Sequence, residues 1–200
     1  MKGLIYKDLI VLWKQGKMYL LIILIFSLIP QLTRAGFAMA YAAILPYTII
    51  AYDEQSKWNR LAIMMPYTDA QLVLSKYLLS WAAILLVMVP SAASRTVDYL
   101  VKGQAALLVA EYQEVVILTA VSALFTAIIL PLVFRFGVER GRLAVIPLVV
   151  VGVTGAVFVV KLFMPLPIWA TVFISILLAV AANAVSVHIS RKLFRRGLRA

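Results

Sequence analysis

The sequence predicts an all-α membrane protein with six transmembrane helices, an N-terminal interfacial helix and a short cytoplasmic helix between the second and third spans. Three observations predict it. Hydrophobic residues make up 64% of 200 residues, and the mean hydropathy is +1.02, more than a soluble core needs. The apolar residues are gathered into long uncharged runs: Met18 to Thr33, Ala35 to Tyr52, Tyr77 to Ser94, Val115 to Phe134, Leu143 to Val160 and Leu162 to Val187. A bilayer crossing takes about 20 mostly apolar residues in a helix. The third observation is negative: the strict alternation over about ten residues that marks a barrel strand is absent. Backbone groups in lipid must be bonded internally, so helices are the economical form. One domain covering 1–200 follows, with spans at 17–34, 35–52, 74–94, 115–135, 143–161 and 168–189.

Met1 to Lys17 reads as a helix lying in the membrane interface. Leu4, Ile5, Leu9, Leu12 and Trp13 share about half of a helical wheel, with Lys7 and Lys14 opposite, while Asp8, Ile10 and Val11 interrupt the pattern. The first span follows and is short unless it takes in Gly16, Lys17 and Arg34. It ends Ile29-Pro30-Gln31-Leu32-Thr33-Arg34, without the small-residue site at which a secretory signal is cleaved. It is read as a retained helix, joined to span two by a very short turn at Gly36.

Span two runs into the longest polar interruption on the inner side, Tyr52 to Lys76. From Asp53 to Met65 the spacing is helical, with Asp53 an acceptable N-cap and Glu54 placed to suit the helix dipole. Trp58, Leu61, Ala62 and Met65 fall on one face; Ile63 and Met64 lie on the other, among Lys57, Asn59 and Arg60. Apolar residues on two faces point to a handle covered by a soluble partner as well as by lipid. Pro66 ends this helix, and Thr68-Asp69-Ala70-Gln71 is a capping box that opens the helix of span three.

Spans three and four are joined outside by Arg95 to Glu114, the longest outer loop, in which Gln104 to Tyr112 reads as a short interfacial helix. Arg135 to Arg142 is a tight basic loop inside, with Gly137 and Gly141 as breakers. Pro165 and Pro167 turn the chain between spans five and six. Prolines at 30, 46, 90, 131 and 147 put one in each of the first five spans, where each removes a backbone bond and favours a kink. Small residues in spans four to six (Ser122, Ala123, Thr126, Ala127, Gly152, Gly155, Ala156, Ala179, Ala182 and Ser186) allow close helix contact.

Charge sets the orientation. Of 19 basic residues, all but Arg34, Arg95, Lys102 and Lys161 fall on one side, which places both termini in the cytoplasm. The net charge of +11 is therefore a matter of topology and anionic lipid rather than nucleic acid, and the aromatic interleaving of a single-strand platform is missing. Cysteine is absent, which excludes disulfides and thiolate chemistry.

No span has a charge near its middle, which disfavours an ion-coupled carrier. Asn183 is the one strongly polar amide deep in a span, an interhelical bond or a polar point on a substrate path. His188 is a lone histidine at the inner end of span six. No nucleophilic triad or metal-ligating cluster is spaced for catalysis. A GxxxxGK[ST] phosphate loop is absent, since Gly16-Lys17 is followed by Met18. The chain is therefore not expected to be an enzyme or to bind a cofactor or metal itself.

Two segments carry a specific resemblance. The stretch YDEQSKWNRLAIMMPYTDAQLVLSKYLL resembles the signature of small bacterial ABC type-2 transporter permeases, in which Asp-Glu-x-x-x-Trp leads through a Met-Pro or Leu-Pro pair to a Ser-Lys-Tyr or Gly-Lys-Tyr start of helix three. The opening Met-Lys-Gly-Leu-Ile-Tyr-Lys-Asp-Leu is similar to that family's usual beginning. The resemblance implies the permease subunit of an ATP-driven exporter in the bacterial plasma membrane, paired with a second permease subunit in a homo- or heterodimer. It implies ATPase subunits that carry ATP and Mg, and a coupling helix that docks in them. Asp53, Glu54, Lys57, Trp58, Arg60, Leu61, Met64 and Met65 would make that contact, and 1–13 would match the family's interfacial connecting helix. The seven-residue link between spans five and six departs from larger members, which carry re-entrant helices there. A peptide or a toxic amphiphile is the expected cargo. The competing expectation is a membrane immunity protein that sequesters a toxic peptide without transporting it.

Overall fold

The computed structural model describes residues 2–29 and 36–197, except for the side chains of Lys2, Gln15, Asn59, Arg60, Ile63, Ala105 and residues 195–197. Pro30, Arg34, the greater part of the outer turn expected before Gly36 and the terminal Arg199 lie outside the described residues. Every regular element described is helical: α1 (Lys2–Gln15), α2 (Lys17–Leu28), α3 (Phe37–Gln55), α4 (Trp58–Met64), α5 (Asp69–Val101), a 3-10 turn (Ala105–Leu107), α6 (Leu108–Phe163) and α7 (Ile168–Gly197).

α1 and α2 meet at an 83° bend, so α1 lies across the direction of α2, as an interfacial helix would. Among the described residues three helices are long and apolar enough to cross a membrane: α5, α6 and residues Ile168–Phe194 of α7. α3, with 19 residues, closes on Asp53, Glu54 and Gln55 and does not reach that threshold. α2 has 12 described residues, about 18 Å of helix against a hydrocarbon core of about 30 Å.

The 56 residues of α6 are two arms of a hairpin. Gly137 breaks the helix with φ 73° and ψ 177°, in the positive-φ region where glycine carries no Cβ penalty. Three contacts fix the arms as antiparallel. Val133 lies against Gly141 and Phe125 against Gly152, and the Gln113 side-chain amide donates to the carbonyls of Phe163 and Leu166 at 3.0 and 2.9 Å. The basic turn expected at Arg135 to Arg142 is thus tighter than a loop, little more than one inverted residue.

Two corrections concern the ends of helices. The expected outer loop from Arg95 to Glu114 is largely helix, because α5 continues to Val101 and α6 starts at Leu108. The cause is Arg95, which is 1% exposed and paired with Glu111 at 3.1 Å and Glu114 at 3.2 Å. Satisfied by acids from the next helix, it packs inside the bundle instead of ending the span. The Gln104 to Tyr112 helix expected at the interface is accordingly a short 3-10 turn followed by the first turns of α6.

The second correction falls at Asp53. It does not begin a helix; it lies in the last turn of α3, which Ser56 extends by donating its backbone N–H to the Tyr52 carbonyl. The chain then reverses at Lys57, whose φ is +56°, and α4 is a separate helix of seven residues. The start of α5 is as the sequence predicts: the Thr68 hydroxyl accepts from the Gln71 N–H, and the Gln71 side chain accepts from the Thr68 N–H.

Two apolar clusters form the core, one around Ala38, Ala42, Leu45 and Ile84 and one around Ala43, Tyr77, Ile129 and Phe194. Fully buried alanines on α3 let α5 and α6 approach its backbone, the usual device of helix packing in lipid. α7 packs most extensively against α6, and the Asn183 amide donates across that contact to the Ala123 carbonyl at 3.0 Å. Ser186 spans the same interface, donating to the Ala127 carbonyl.

Candidate functional site

Charged residues from the middle of α1, the last turn of α3 and the early turns of α5 come together as a buried quartet. Lys76 Nζ lies 2.8 Å from Asp8 Oδ1 and 2.6 Å from Asp53 Oδ2. Lys7 Nζ lies 2.7 Å from Asp8 Oδ1 and 2.6 Å from Asp53 Oδ1. Asp8, Asp53 and Lys76 are buried. Asp53 thus uses both oxygens, whereas Asp8 uses one and its buried Oδ2 makes no hydrogen bond. A charge taken out of water is tolerated only when paired at this quality. Burial works to lower the Lys7 pKa, but the Asp8 charge and the bonds to Asp53 and Asp8 outweigh it, so the ammonium is held above its usual range.

Helix geometry explains why Asp8 belongs here. Leu4, Asp8 and Leu12 lie one turn apart and all are buried, so the residue that interrupts the apolar pattern faces inward to its two lysines. The expected face of α1 divides: Leu4 and Leu12 are buried, Ile5 is half-buried, and Leu9 and Trp13 are exposed.

Glu54 performs a different task. Its carboxylate accepts the Val138 backbone N–H, with oxygens at 2.9 and 3.1 Å. Val138 follows the break at Gly137, so this N–H is among the first donors of the second arm and has no carbonyl a turn earlier to meet it. A carboxylate at that position also sits at the favourable end of the helix dipole. Glu54 therefore ties the end of α3 to the Gly137 turn of α6. Among the described residues these atoms enclose a cavity of about 310 Å³, lined by Lys7, Asp53, Trp58, Lys76, Arg135 and Arg140 among others.

α4 lies at the rim of this cavity. Lys7 Nζ stands 4.7 Å from the centre of the Trp58 ring, a cation–π contact, and Ala62, one turn on, is 2% exposed. Leu61, Met64 and Met65 point outward, with Met64 84% exposed, as is Lys57. The face expected to hold Trp58, Leu61, Ala62 and Met65 together is therefore split between the protein and the outside. The side chains of Arg60 and Ile63 lie outside the described residues.

Asn183 is buried in the packing between α6 and α7, where its amide nitrogen also donates to the Ala179 carbonyl; it does not line the cavity beside the ion quartet. The quartet and the Glu54 cap were not read from the sequence, where Lys7 and Lys76 count as topology charges and Asp53 as a cap. The one available signal was Asp8 spaced four residues from both Leu4 and Leu12.

A family model described as "ABC-2 family transporter protein" matches residues 3–195 of this chain. No curated protein and no solved structure matches it.

Proposed function

We propose that this chain, which belongs to the ABC-2 family of transporter proteins, is the membrane-spanning half of an exporter driven by a separate ATPase. Family membership and the apolar helices make it a multi-pass membrane permease of an ABC transporter. The proposal extends this to six crossings, both termini in the bacterial cytoplasm, a second permease subunit, and a peptide or amphiphile as cargo. ATP and Mg belong to the ATPase, and α4 is the coupling helix that docks on it.

One observation carries the reading: α4 turns Leu61 and Met64 outward while its Trp58 leans on Lys7 of the ion quartet. A push on α4 would reach α1, α3 and α5 through charged bonds, and the second arm of α6 through Glu54. Charged hydrogen bonds are strong and directional, so displacement at the rim would pass to helix ends rather than be absorbed by loose side chains. ATP binding that draws two such rims together would reorient the inner ends of the spans.

The test is co-purification of an ABC ATPase with this chain from the cell that makes both. A Leu61→Glu/Met64→Glu variant is expected to lower its retention by about thirtyfold, the loss of one buried interface anchor of about 2 kcal/mol. Trp169→Ala, a residue 73% exposed near the start of α7, is the control and should retain it. Full retention by the double variant would remove α4 as the docking element. A chain that holds a toxic peptide and no ATPase would favour the immunity reading.

A further inference from the structure

The bend between α1 and α2 leaves an apolar groove of about 540 Å³, within the range of small-ligand sites. Its walls are Trp13 from α1, Leu20 and Ile23 from α2, and Leu79, Ala82 and Leu86 from α5, among others. Among the described residues a single charged one lines it, Lys14. Lys17 follows three residues later at the start of α2, and both lysines are exposed. Among the described residues neither forms a salt bridge, whereas Lys7 and Lys76, on the same side of the molecule, are fully paired.

An occupant must therefore bring two things, a hydrocarbon part for the groove and a negative charge for its mouth. A second copy of this chain is poorly suited, since the same surface is basic on both copies and would bury two lysines without counter-charge. A phospholipid supplies both. Trp13, 76% exposed at the rim, is the residue type that settles at headgroup level, and basic pockets between helices on the cytoplasmic side are suited to anionic headgroups. We propose that this groove holds an acyl chain of an anionic phospholipid whose headgroup sits on Lys14 and Lys17. The site depends on the orientation proposed above only for which leaflet supplies the lipid.

The experiment uses the full chain, purified in mild detergent and titrated separately with dioleoyl phosphatidylglycerol and dioleoyl phosphatidylcholine, with bound lipid counted by native mass spectrometry. The wild type is expected to hold the anionic lipid about thirtyfold more tightly, the contribution of two basic residues at a membrane surface. Lys14→Gln/Lys17→Gln should abolish that preference while leaving weak retention of both lipids. Ala82→Trp, at an exposed wall position, should fill the groove and lower retention of both. Equal binding of the two lipids by the wild type would overturn the proposal, as would a preference that survives loss of both lysines. The wild type contains no cysteine, so Ala82→Cys gives a single probe. Its rapid disulfide-linked dimerisation in the membrane would assign the groove to a second copy and equally overturn the lipid reading. Neither result bears on whether α4 docks an ATPase.

Discussion

Glu54 holds Val138 across 84 residues of sequence, its carboxylate receiving the backbone N–H at which the second arm of α6 begins. Replacing it with alanine leaves that donor without its charged acceptor, a loss of about 1.5–3 kcal/mol. Glu54→Ala should speed amide exchange over residues 137–141 while the first arm of α6 stays protected. Unchanged exchange in the Gly137 turn would mean that the turn is held by packing alone.

The ion quartet predicts an order of sensitivities. Asp53 uses both oxygens and Asp8 only one, so Asp53→Asn should lower the melting temperature in detergent more than Asp8→Asn. Removing one partner of a buried ion pair costs about 3–5 kcal/mol. Lys76→Gln should fall in that range, and Asp53→Asn/Lys76→Gln should cost less than the two single changes added together. Strict additivity in that cycle would show that the two side chains do not interact.

Gly152 is the tightest point of the α6 hairpin. A Cβ at that position would collide with the Phe125 ring, and Phe125 is itself buried. Overpacking of this kind costs about 1–3 kcal/mol, so Gly152→Ala should destabilise the protein measurably. Phe125→Leu in the same chain should recover much of the loss. Gly155, where an added Cβ meets nothing within 4 Å, should accept alanine freely, and equal effects at the two glycines would count against the packing account.

If α4 docks the proposed ATPase, Trp58 should separate binding from transmission. Its ring is half-buried beneath Lys7, while Leu61 and Met64 offer the outward surface. Trp58→Ala should therefore reduce transport-linked ATP hydrolysis more strongly than it reduces ATPase retention, and Leu61→Glu/Met64→Glu should reduce both together. If Trp58→Ala abolished retention while Leu61→Glu/Met64→Glu did not, the docking face would be the one turned towards α1.

Much of the helical plan was legible because it follows from local chemistry. The capping box at Thr68 and Gln71, the breaker at Gly137 and the apolar runs each depend on residues within a few positions of one another. Asn183 was also legible as an interhelical bond, since an amide in lipid must find a partner. What escaped was pairing at a distance. Arg95 looked like the end of a span because its acids, Glu111 and Glu114, lie beyond a turn. Asp53 looked like a cap because the lysines that claim it come from two other helices. A charge in a membrane protein reads as a boundary until its counter-charge is placed, and sequence spacing does not place it.

The formal charges of Lys7, Asp8, Asp53 and Lys76 add to zero. A single elementary charge carried across the membrane field exchanges about 2.3 kcal/mol per 100 mV, but a neutral group moved as one body exchanges none. Translation of this cluster as one body therefore does no net work against the membrane field, and its four charges add no voltage dependence to a shift of the helix segments that carry them.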